Sequence, residues 1–301
     1  MTQKIKRKKQ PPRQENTTAL IPHFNEPFIR ESVLSIAPLV EEVIVADSGS
    51  NDRYLDWLYS AAASAGNVRI HHLDMREQPY LQKMRNFLQE KARTEWVLLY
   101  DSDQIAYAKG DRCILSLYDR LTDFPDHDYF SLAYPCIAGD SKHYQPGKQS
   151  HPPRIVLNRN GTVDYLINKS IDDINIDLDE AINVSGHYWI ATDLKPIERL
   201  AFRGMMGKFV RENPDPVNLP TLWEWMHYYQ SGEYPSSQQQ VLETKLANLR
   251  WQHDKVLDFK PFDFEKWGPH PKLLRESEML KEFVLTEVEG GYNRSRYPLR
   301  Y

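Results

Sequence analysis

The sequence has few cysteines and no long apolar run. Cys113 and Cys136 are the only two cysteines among its 301 residues, which excludes a disulfide framework and a paired-cysteine zinc site. No stretch approaches the roughly 20 consecutive apolar residues that a membrane-spanning helix needs. Because 41% of the residues are hydrophobic, disorder of the whole chain is excluded as well. We expect a soluble, cytoplasmic, globular protein.

Positive charge is concentrated at the start of the chain. Residues 1–16 contain six basic residues and one acidic residue, a net charge of +5, whereas the whole chain has a formal charge of −4. The apolar segment that a secretory signal peptide needs does not follow these charges. We interpret residues 1–16 as a flexible basic tail on an acidic body. The tail either keeps the protein in solution or attaches it to nucleic acid or another polyanion.

Apolar strands and amphipathic helices alternate from residue 18 onward. The predicted strands are 18–22, 42–46, 67–73 and 95–100, and the predicted helices are 26–38, 53–65 and 80–93. This alternation is typical of an α/β fold with a mainly parallel sheet. The near-continuous apolar character of the strands indicates that both faces of the sheet are covered.

The periodicity becomes weaker in the second half of the chain. We predict strands at 129–134 and 154–158, with a long loop over 138–153. After about residue 211 the sequence is helical and rich in aromatic residues. The expected organisation is a tail (1–16), an α/β domain (17–210) and a helical C-terminal region (211–301).

Acidic residues follow two of the predicted strands, where ligands of parallel sheets bind. Asp101 and Asp103 come directly after the fourth strand, and two carboxylates at this spacing can share a divalent cation with its bound phosphates. An ordinary turn is the alternative. Asp47 ends the second strand and can accept hydrogen bonds from a nucleobase or ribose, or the segment simply caps the next helix. Arg85 either reaches toward phosphates near Asp101 or lies on a solvated helix face.

Together these segments resemble the nucleotide-sugar-dependent glycosyltransferases of the GT-A fold, particularly family 2. The matching segments are Ala19-Leu20-Ile21-Pro22-His23-Phe24-Asn25-Glu26, Glu31 to Ile36, Val43 to Asp52, Met84-Arg85-Asn86 and Trp96 to Asp103. The resemblance implies a Rossmann-like, mixed and mainly parallel sheet flanked by helices, with residues 17–210 as the GT-A domain and a helical C-terminal extension.

The resemblance also implies roles for individual residues. Pro22, Phe24 and Glu26 would line the nucleotide pocket, Asp47 would read the base, Arg85 would approach the pyrophosphate, Asp101 would hold the ribose or a metal, and Asp103 would be the principal ligand of Mn²⁺ or Mg²⁺. The sequence departs from the commonest family pattern at His23-Phe24, where many members have a small residue followed by tyrosine.

The second half of the predicted site depends on more weakly matching segments. Asp172 or Asp173, in a stretch that resembles the acidic segment of the family, would be the general base, unless this stretch is a solvated loop. His187 would be a further metal ligand, and an imidazole suits Mn²⁺ better than Mg²⁺. Packing among aromatic residues is the other interpretation of His187. Lys195 and Arg199 either meet the donor or acceptor or are surface charges.

These observations predict a metal-dependent glycosyltransferase that moves a sugar from an NDP-sugar, with a UDP-sugar favoured, to an acceptor hydroxyl. Inversion is implied by the resemblance. Two alternatives are a nucleotidyltransferase, which would carry a glycine- and lysine-rich loop after its first strand, and a non-catalytic protein that binds nucleotide-sugars. The acceptor is open between a hydroxylated base in DNA, which the basic tail permits, and a protein, lipid-linked or small saccharide. The C-terminal aromatic residues either stack on rings of such an acceptor or fill a helical core.

Overall fold

The computed structural model describes residues 10–73, 81–145, 150–165, 174–176, 178–213 and 220–299. The predicted base residues Asp172 and Asp173 and the first nine residues of the basic tail lie outside the described residues.

Strands and helices alternate over the first hundred residues, as the periodicity predicted. The strands are β1 Thr17–His23, β2 Glu42–Asp47, β3 Val68–His72, β4 Trp96–Leu99, β5 Gln104–Ala106, β6 Tyr129–Ala138, β7 His143–Tyr144, β8 Ser150–Arg159, β9 Ile182–Asn183, β10 Trp189–Asp193, β11 Lys260–Pro261, β12 Thr286–Val288 and β13 Gly291–Asn293. The helices are α1 Ile29–Ile36, α2 Asp52–Ala65, α3 Leu81–Lys91, α4 Ile114–Leu121, α5 Ile197–Glu212, α6 Leu222–Ser231, α7 Gln238–Asp254, α8 Phe264–Trp267 and α9 Lys272–Arg275.

Nine strands of the described chain form the central sheet, in the order β3-β2-β1-β4-β8-β6-β10-β5, with β9 beside β6. Strands β1 to β4 pair in parallel. Both β4 and β6 are antiparallel to β8, so they point the same way, and β10 is parallel to β6. Strand β5 is antiparallel to β10. The mixed, mainly parallel sheet flanked by helices is therefore confirmed.

Helices cover both faces of the sheet. Along β1, Ile21 belongs to a buried cluster with Val33 of α1 and Leu58 of α2. Its neighbour Leu20 faces the opposite way and packs with Leu88 of α3. This alternation follows from the two-residue period of a strand, and it explains why β1 and β2 are apolar at consecutive positions.

The C-terminal region shares its core with the sheet. Phe262, Met279 and Phe283 form one buried cluster with Ile137 of β6 and Ile190 of β10. Helix α6 begins at a capping box, in which Thr221 accepts a hydrogen bond from the Glu224 N–H and the Glu224 carboxylate accepts one from the Thr221 N–H. Trp225 of α6 packs with Phe209 at the end of α5, across the predicted boundary at residue 210.

Two local predictions differ from the structure. Strand β1 continues through Pro22 to His23 instead of ending at the proline, because β4 pairs with β1 only as far as Leu20 and needs no N–H from Pro22. The predicted loop at 138–153 is shorter, since β8 already begins at Ser150. The register of β6 and β8 shifts opposite the prolines of β8, which is where a strand tolerates them.

The last residues of the predicted tail contact the sheet and its connections. The indole N–H of Trp96 donates to the Gln10 carbonyl at 3.0 Å, and the Gln14 amide donates to the Pro38 carbonyl at 2.9 Å. Among the helices that the structure describes, none is long and apolar enough to cross a membrane.

Candidate active site

Six strands of the described sheet end at one edge, which we call the catalytic edge. Strands β1, β2, β3, β4, β6 and β10 finish there, and β5 begins there. Asp47 is the last residue of β2, and the loops that follow β1 and β4 contain Glu26, Asp101 and Asp103. The structure therefore brings together the residues that the sequence predicted at separate strand ends.

Asp47 is buried at the end of β2 and is held by its own turn. Its carboxylate accepts hydrogen bonds from the backbone N–H groups of Gly49, at 3.1 Å, and Ser50, at 3.2 Å. Gly49 has a φ of 101°, which a residue with a side chain would adopt only with strain. His72 Nδ1 lies 3.4 Å from Asp47 Oδ2, and the other ring nitrogen of His72 bonds to the Tyr59 hydroxyl at 2.8 Å.

The loops after β1 and β2 are joined by hydrogen bonds. The Asn25 N–H donates to Ser50 Oγ, and the Asn51 N–H donates to Asn25 Oδ1, both at 2.8 Å. Asn25 has a φ of 47°, a left-handed conformation that asparagine tolerates. These bonds fix Phe24 and Glu26 relative to Asp47.

His23 lies beneath Asp47 with no exposed surface, and its Nε2 is 4.0 Å from Asp47 Oδ1. Neither ring nitrogen has a hydrogen-bond partner among the described residues. Burial lowers the pKa of His23 to about 4, an effect that the charge of Asp47 opposes and that of Arg199 reinforces. His23 is therefore neutral at neutral pH.

Asp101 is bound to the guanidinium group of Arg85. Arg85 Nη2 donates to Asp101 Oδ1 at 3.1 Å, and Gln104 Nε2 lies 3.4 Å from Asp101 Oδ2. Arg85 is 5% exposed, and its guanidinium carbon lies 5.0 Å from the centre of the Tyr165 ring. The interpretation of Arg85 as a solvated surface residue is therefore wrong.

Asp103 is joined to Glu26 by a buried lysine. Lys195 Nζ donates to Glu26 Oε2 at 2.6 Å and to Asp103 Oδ2 at 3.0 Å. Arg199 donates to the second oxygen of Glu26 at 3.3 Å, and its guanidinium carbon is 5.2 Å from the centre of the Phe24 ring. The side chain of Lys195 is 2% exposed, so its interpretation as a surface charge is wrong.

His187 lies at the opposite edge of the sheet from Asp101 and Asp103. His187 comes before the first residue of β10. The Asp103 carbonyl accepts hydrogen bonds from Thr192, near the last residue of β10. Thr192 is five residues after His187, which corresponds to roughly 16 Å along an extended strand. The Nε2–H of His187 donates to the Trp267 carbonyl at 2.9 Å, and the rings of Trp267 and Tyr107 pack against the imidazole. Burial, assisted by Arg112, lowers the pKa of His187. The structure thus places His187 among aromatic residues and not beside Asp103.

The predicted base residues lie outside the described residues, but the residues that flank them reach the catalytic edge. Tyr165 and Ile174 form an isolated antiparallel bridge. Two hydrogen bonds join Asn86 of α3 to Tyr165. The Tyr165 N–H donates to Asn86 Oδ1 at 2.9 Å, and the Asn86 side-chain amide donates to the Tyr165 carbonyl at 3.1 Å. Since Tyr165 also contacts Arg85, which is bound to Asp101, the bridge between Tyr165 and Ile174 lies near Asp101.

The sequence reasoning missed two further carboxylates at this edge. Asp193 ends β10 and is 7% exposed, and Asp140 follows the end of β6. Asp140 Oδ1 lies 2.6 Å from His143 Nδ1. Both resemble Asp47 in lying at the end of an apolar strand or just beyond it. The sequence around them does not show clearly where β6 and β10 end, so these two carboxylates could not be placed at strand ends.

The donor set suits a hard divalent cation that is bound together with phosphate. Mg²⁺ is commonly held by one or two carboxylates plus substrate phosphates, which Asp101 and Asp103 can provide. In the parts of the chain described here, no group of three or more His, Cys, Asp or Glu side chains has a geometry suited to a metal ion. The two aspartates therefore fit a cation that completes its coordination with ligand oxygens.

Several solved structures have low similarity to the chain. TarS of S. aureus (residues 1–349) is 16% identical over 78% of this chain and 80% of that chain, with a TM-score of 0.42. The mannosyltransferase PcManGT of Pyrobaculum calidifontis, in complex with GDP-Man and Mn²⁺, is 15% identical over 78% and 74%, with a TM-score of 0.43. Glucosyl-3-phosphoglycerate synthase of Mycobacterium tuberculosis is 22% identical over 39% and 43%, with a TM-score of 0.31.

The decisive likeness is in the sequence. No curated protein sequence matches the chain significantly. The family described as glycosyl transferase family 2 matches residues 18–186, which is more than half of the chain and includes β1 to β9 with the Asp47, Asp101 and Asp103 segments. The chain therefore belongs to glycosyl transferase family 2 and is a glycosyltransferase.

Proposed function

We propose that this glycosyltransferase transfers a sugar from an NDP-sugar, with a UDP-sugar favoured, to an acceptor hydroxyl with inversion at the anomeric carbon, and that it uses Mn²⁺ or Mg²⁺. The observation that carries the proposal is the convergence of Asp47, Arg85, Asp101 and Asp103 at one edge of the sheet. Their spacing in sequence did not require them to meet, and a nucleotide, a diphosphate and a cation need these groups together.

The nucleoside would lie against the loops after β1 and β2. Asp47 is a suitable acceptor for an N–H of the base because its carboxylate is fixed by two backbone donors. Pro22, Phe24 and Glu26 would line this pocket. The half-buried ring of Phe24 beside Arg199 offers an apolar surface next to a positive charge, which suits a nucleotide.

The diphosphate would lie between Arg85 and the two aspartates Asp101 and Asp103. Arg85 provides guanidinium donors that are held in place by Asp101 and Tyr165, and such donors bind phosphate oxygens strongly. A divalent cation held by Asp101 and Asp103 would neutralise the diphosphate and stabilise the charge that develops on it as a leaving group. His187 has no part in this proposal, because it lies at the other edge of the sheet.

A carboxylate must accept the proton of the acceptor hydroxyl as its oxygen attacks the anomeric carbon. Asp172 and Asp173 stay candidates, since the chain on either side of them is anchored next to Arg85. Asp193 is a third candidate. It ends β10 directly after Thr192, whose side chain donates to the Asp103 carbonyl at 3.1 Å, so its backbone lies next to that of Asp103.

The function is tested by the release of free sugar or its transfer from UDP-sugars and GDP-sugars, with and without EDTA. We expect turnover that stops on chelation and returns with Mn²⁺. Proton NMR of the first product would show the anomeric configuration opposite to that of the donor. Turnover that is unchanged by EDTA and by Asp103→Asn would overturn the metal assignment. Binding of UDP without hydrolysis or transfer to any acceptor would favour a protein that only binds nucleotide-sugars.

The base is identified by three asparagine variants assayed with the same donor. Replacing the base should reduce transfer by about a hundredfold or more and leave UDP binding unchanged, because a base contributes only when the acceptor attacks. A loss confined to Asp193→Asn would assign Asp193, whereas a loss in Asp172→Asn or Asp173→Asn would assign the acidic segment.

A hydroxylated base in DNA is one acceptor class to include in an acceptor screen, because residues 1–16 carry a net charge of +5. Deletion of residues 1–9, which leaves the described contacts of residues 10–16 intact, should then weaken DNA binding and reduce its dependence on salt. Unchanged DNA binding in this deletion would exclude the tail as a tether.

A further inference from the structure

The bridge from Glu26 through Lys195 to Asp103 places a buried positive charge directly on a predicted metal ligand. Lys195 Nζ lies 2.6 Å from Glu26 Oε2 and 3.0 Å from Asp103 Oδ2, and the lysine side chain is 2% exposed. Glu26 is 7% exposed and also accepts from Arg199. Two cationic side chains and two carboxylates therefore form one connected group in which the formal charges cancel.

This arrangement opposes the binding of a divalent cation on its own. A cation on Asp103 would lie within a few ångströms of the Lys195 ammonium group, and such repulsion is strong where water is largely excluded. The ammonium group has little freedom to move away, because a buried charge that leaves its partners loses their compensation. In the absence of ligand, the ammonium group of Lys195 compensates the negative charge of Asp103.

A diphosphate reduces this repulsion, because its negative charge lies close to both the divalent cation and the Lys195 ammonium group. Its oxygens can ligate the metal and can also accept a hydrogen bond from the ammonium group of Lys195. We propose that Lys195 is an internal counter-cation of Asp103, so that the divalent cation binds tightly only together with the diphosphate of the donor. This inference rests on the proposed metal-dependent function, and it makes metal and nucleotide raise each other's affinity by the same factor.

Two substitutions should shift the affinity for the metal in opposite directions. Lys195→Met removes the competing charge, so Mn²⁺ without nucleotide should bind about tenfold more tightly, within the usual range for coupled sites. Glu26→Gln removes a negative charge from one side of the ammonium group and leaves Asp103 on the other side. We therefore expect Mn²⁺ alone to bind about fivefold more weakly to this variant.

The measurement is a Mn²⁺ titration of the whole chain, with free Mn²⁺ followed by electron paramagnetic resonance. Each protein is titrated alone and with saturating UDP, GDP or inorganic pyrophosphate. The wild type should bind Mn²⁺ more tightly with a diphosphate, and this gain should shrink in Lys195→Met. Lys195→Arg should keep the weak binding of Mn²⁺ alone because it keeps the charge. Lys208→Met, on the same helix, is the matched control and should behave as the wild type.

Opposite shifts in the two variants support the proposal. Weaker Mn²⁺ binding in both variants would overturn it and show that the bridge only supports the fold, and so would unchanged binding in Lys195→Met. If circular dichroism shows that Lys195→Met is unfolded, the test rests on Glu26→Gln. Tighter or unchanged binding of Mn²⁺ alone to Glu26→Gln would contradict a competition between the Lys195 charge and the cation. A wild type that binds no Mn²⁺ with any diphosphate would instead overturn the proposed metal dependence, and the inference with it.

Discussion

The two aspartate sites at the catalytic edge are held in place in different ways. Asp47 is held by neutral backbone donors two and three residues away in its own turn. Asp103 is held by a charged side chain 92 residues away, which is itself bound to a glutamate 169 residues away. The comparison teaches that Asp47, on what we propose as the nucleotide side, is held by a local structure. Asp103, on what we propose as the metal side, is held only once distant parts of the chain have packed.

The largest effect is expected on the metal side. Asp103→Asn should reduce turnover of the donor by about a hundredfold or more, because the variant loses a charge that stabilises the leaving diphosphate through the cation. Turnover at saturating Mn²⁺ measures the effect. Asp56→Asn, an exposed acid on α2, is the control and should be unaffected. Equal losses in both variants would show that general charge, and not this site, matters.

The nucleotide side should be the more sensitive to acid. Because burial lowers the pKa of His23 from 6.5 to about 4, the unfolded chain binds a proton below pH 6.5 that the folded chain does not. The free energy of unfolding should therefore fall between pH 6.5 and pH 5, by about 2 kcal/mol more in the wild type than in His23→Gln. Urea unfolding at the two pH values measures this difference. Parallel curves for the two proteins would contradict the burial of a neutral His23.

Removing the charge of Asp47 should affect binding more than turnover. We expect Asp47→Asn to weaken UDP binding by about tenfold, the value of one hydrogen bond to a charged group, with a smaller change in the rate at saturating donor. Calorimetric titration with UDP measures the affinity, and Asp52→Asn, at the exposed first residue of α2, is the matched control. A loss in turnover rate without a loss in UDP affinity would indicate that Asp47, like Asp103, acts in turnover and not in nucleotide binding.

The smallest effect is expected for His187. Since it lies at the other edge of the sheet, His187→Ala should change the affinity for Mn²⁺ with UDP by less than about twofold, well below the 10–100-fold cost of disturbing a metal shell. The melting temperature should fall, because the ring packs against Trp267. A loss of Mn²⁺ affinity comparable to that of Asp103→Asn would return His187 to the metal shell.

The same contrast explains how much could be predicted from the sequence. Strands β1 to β4 and helices α1 to α3 follow from periodicity and neighbouring residues, so they could be predicted to within a few residues of their ends. Lys195 and Arg199 were left between ligand contacts and surface charges, because nothing within a few residues of them reports burial or a partner in the first loop. His187 was assigned to the metal because a sequence does not show which end of β10 faces Asp103.

The first turn of α5 is completed by a distant part of the chain. The backbone N–H groups of Ile197 and Glu198 donate to the carbonyls of Pro298 and Leu299, each at 3.0 Å. The helix that begins directly after Lys195 and carries Arg199 therefore depends on residues that leave the ribosome about a hundred positions later. We therefore expect the Asp47 turn to form earlier during synthesis than the bridge from Glu26 through Lys195 to Asp103, whose helix is completed only when residues 298 and 299 are available.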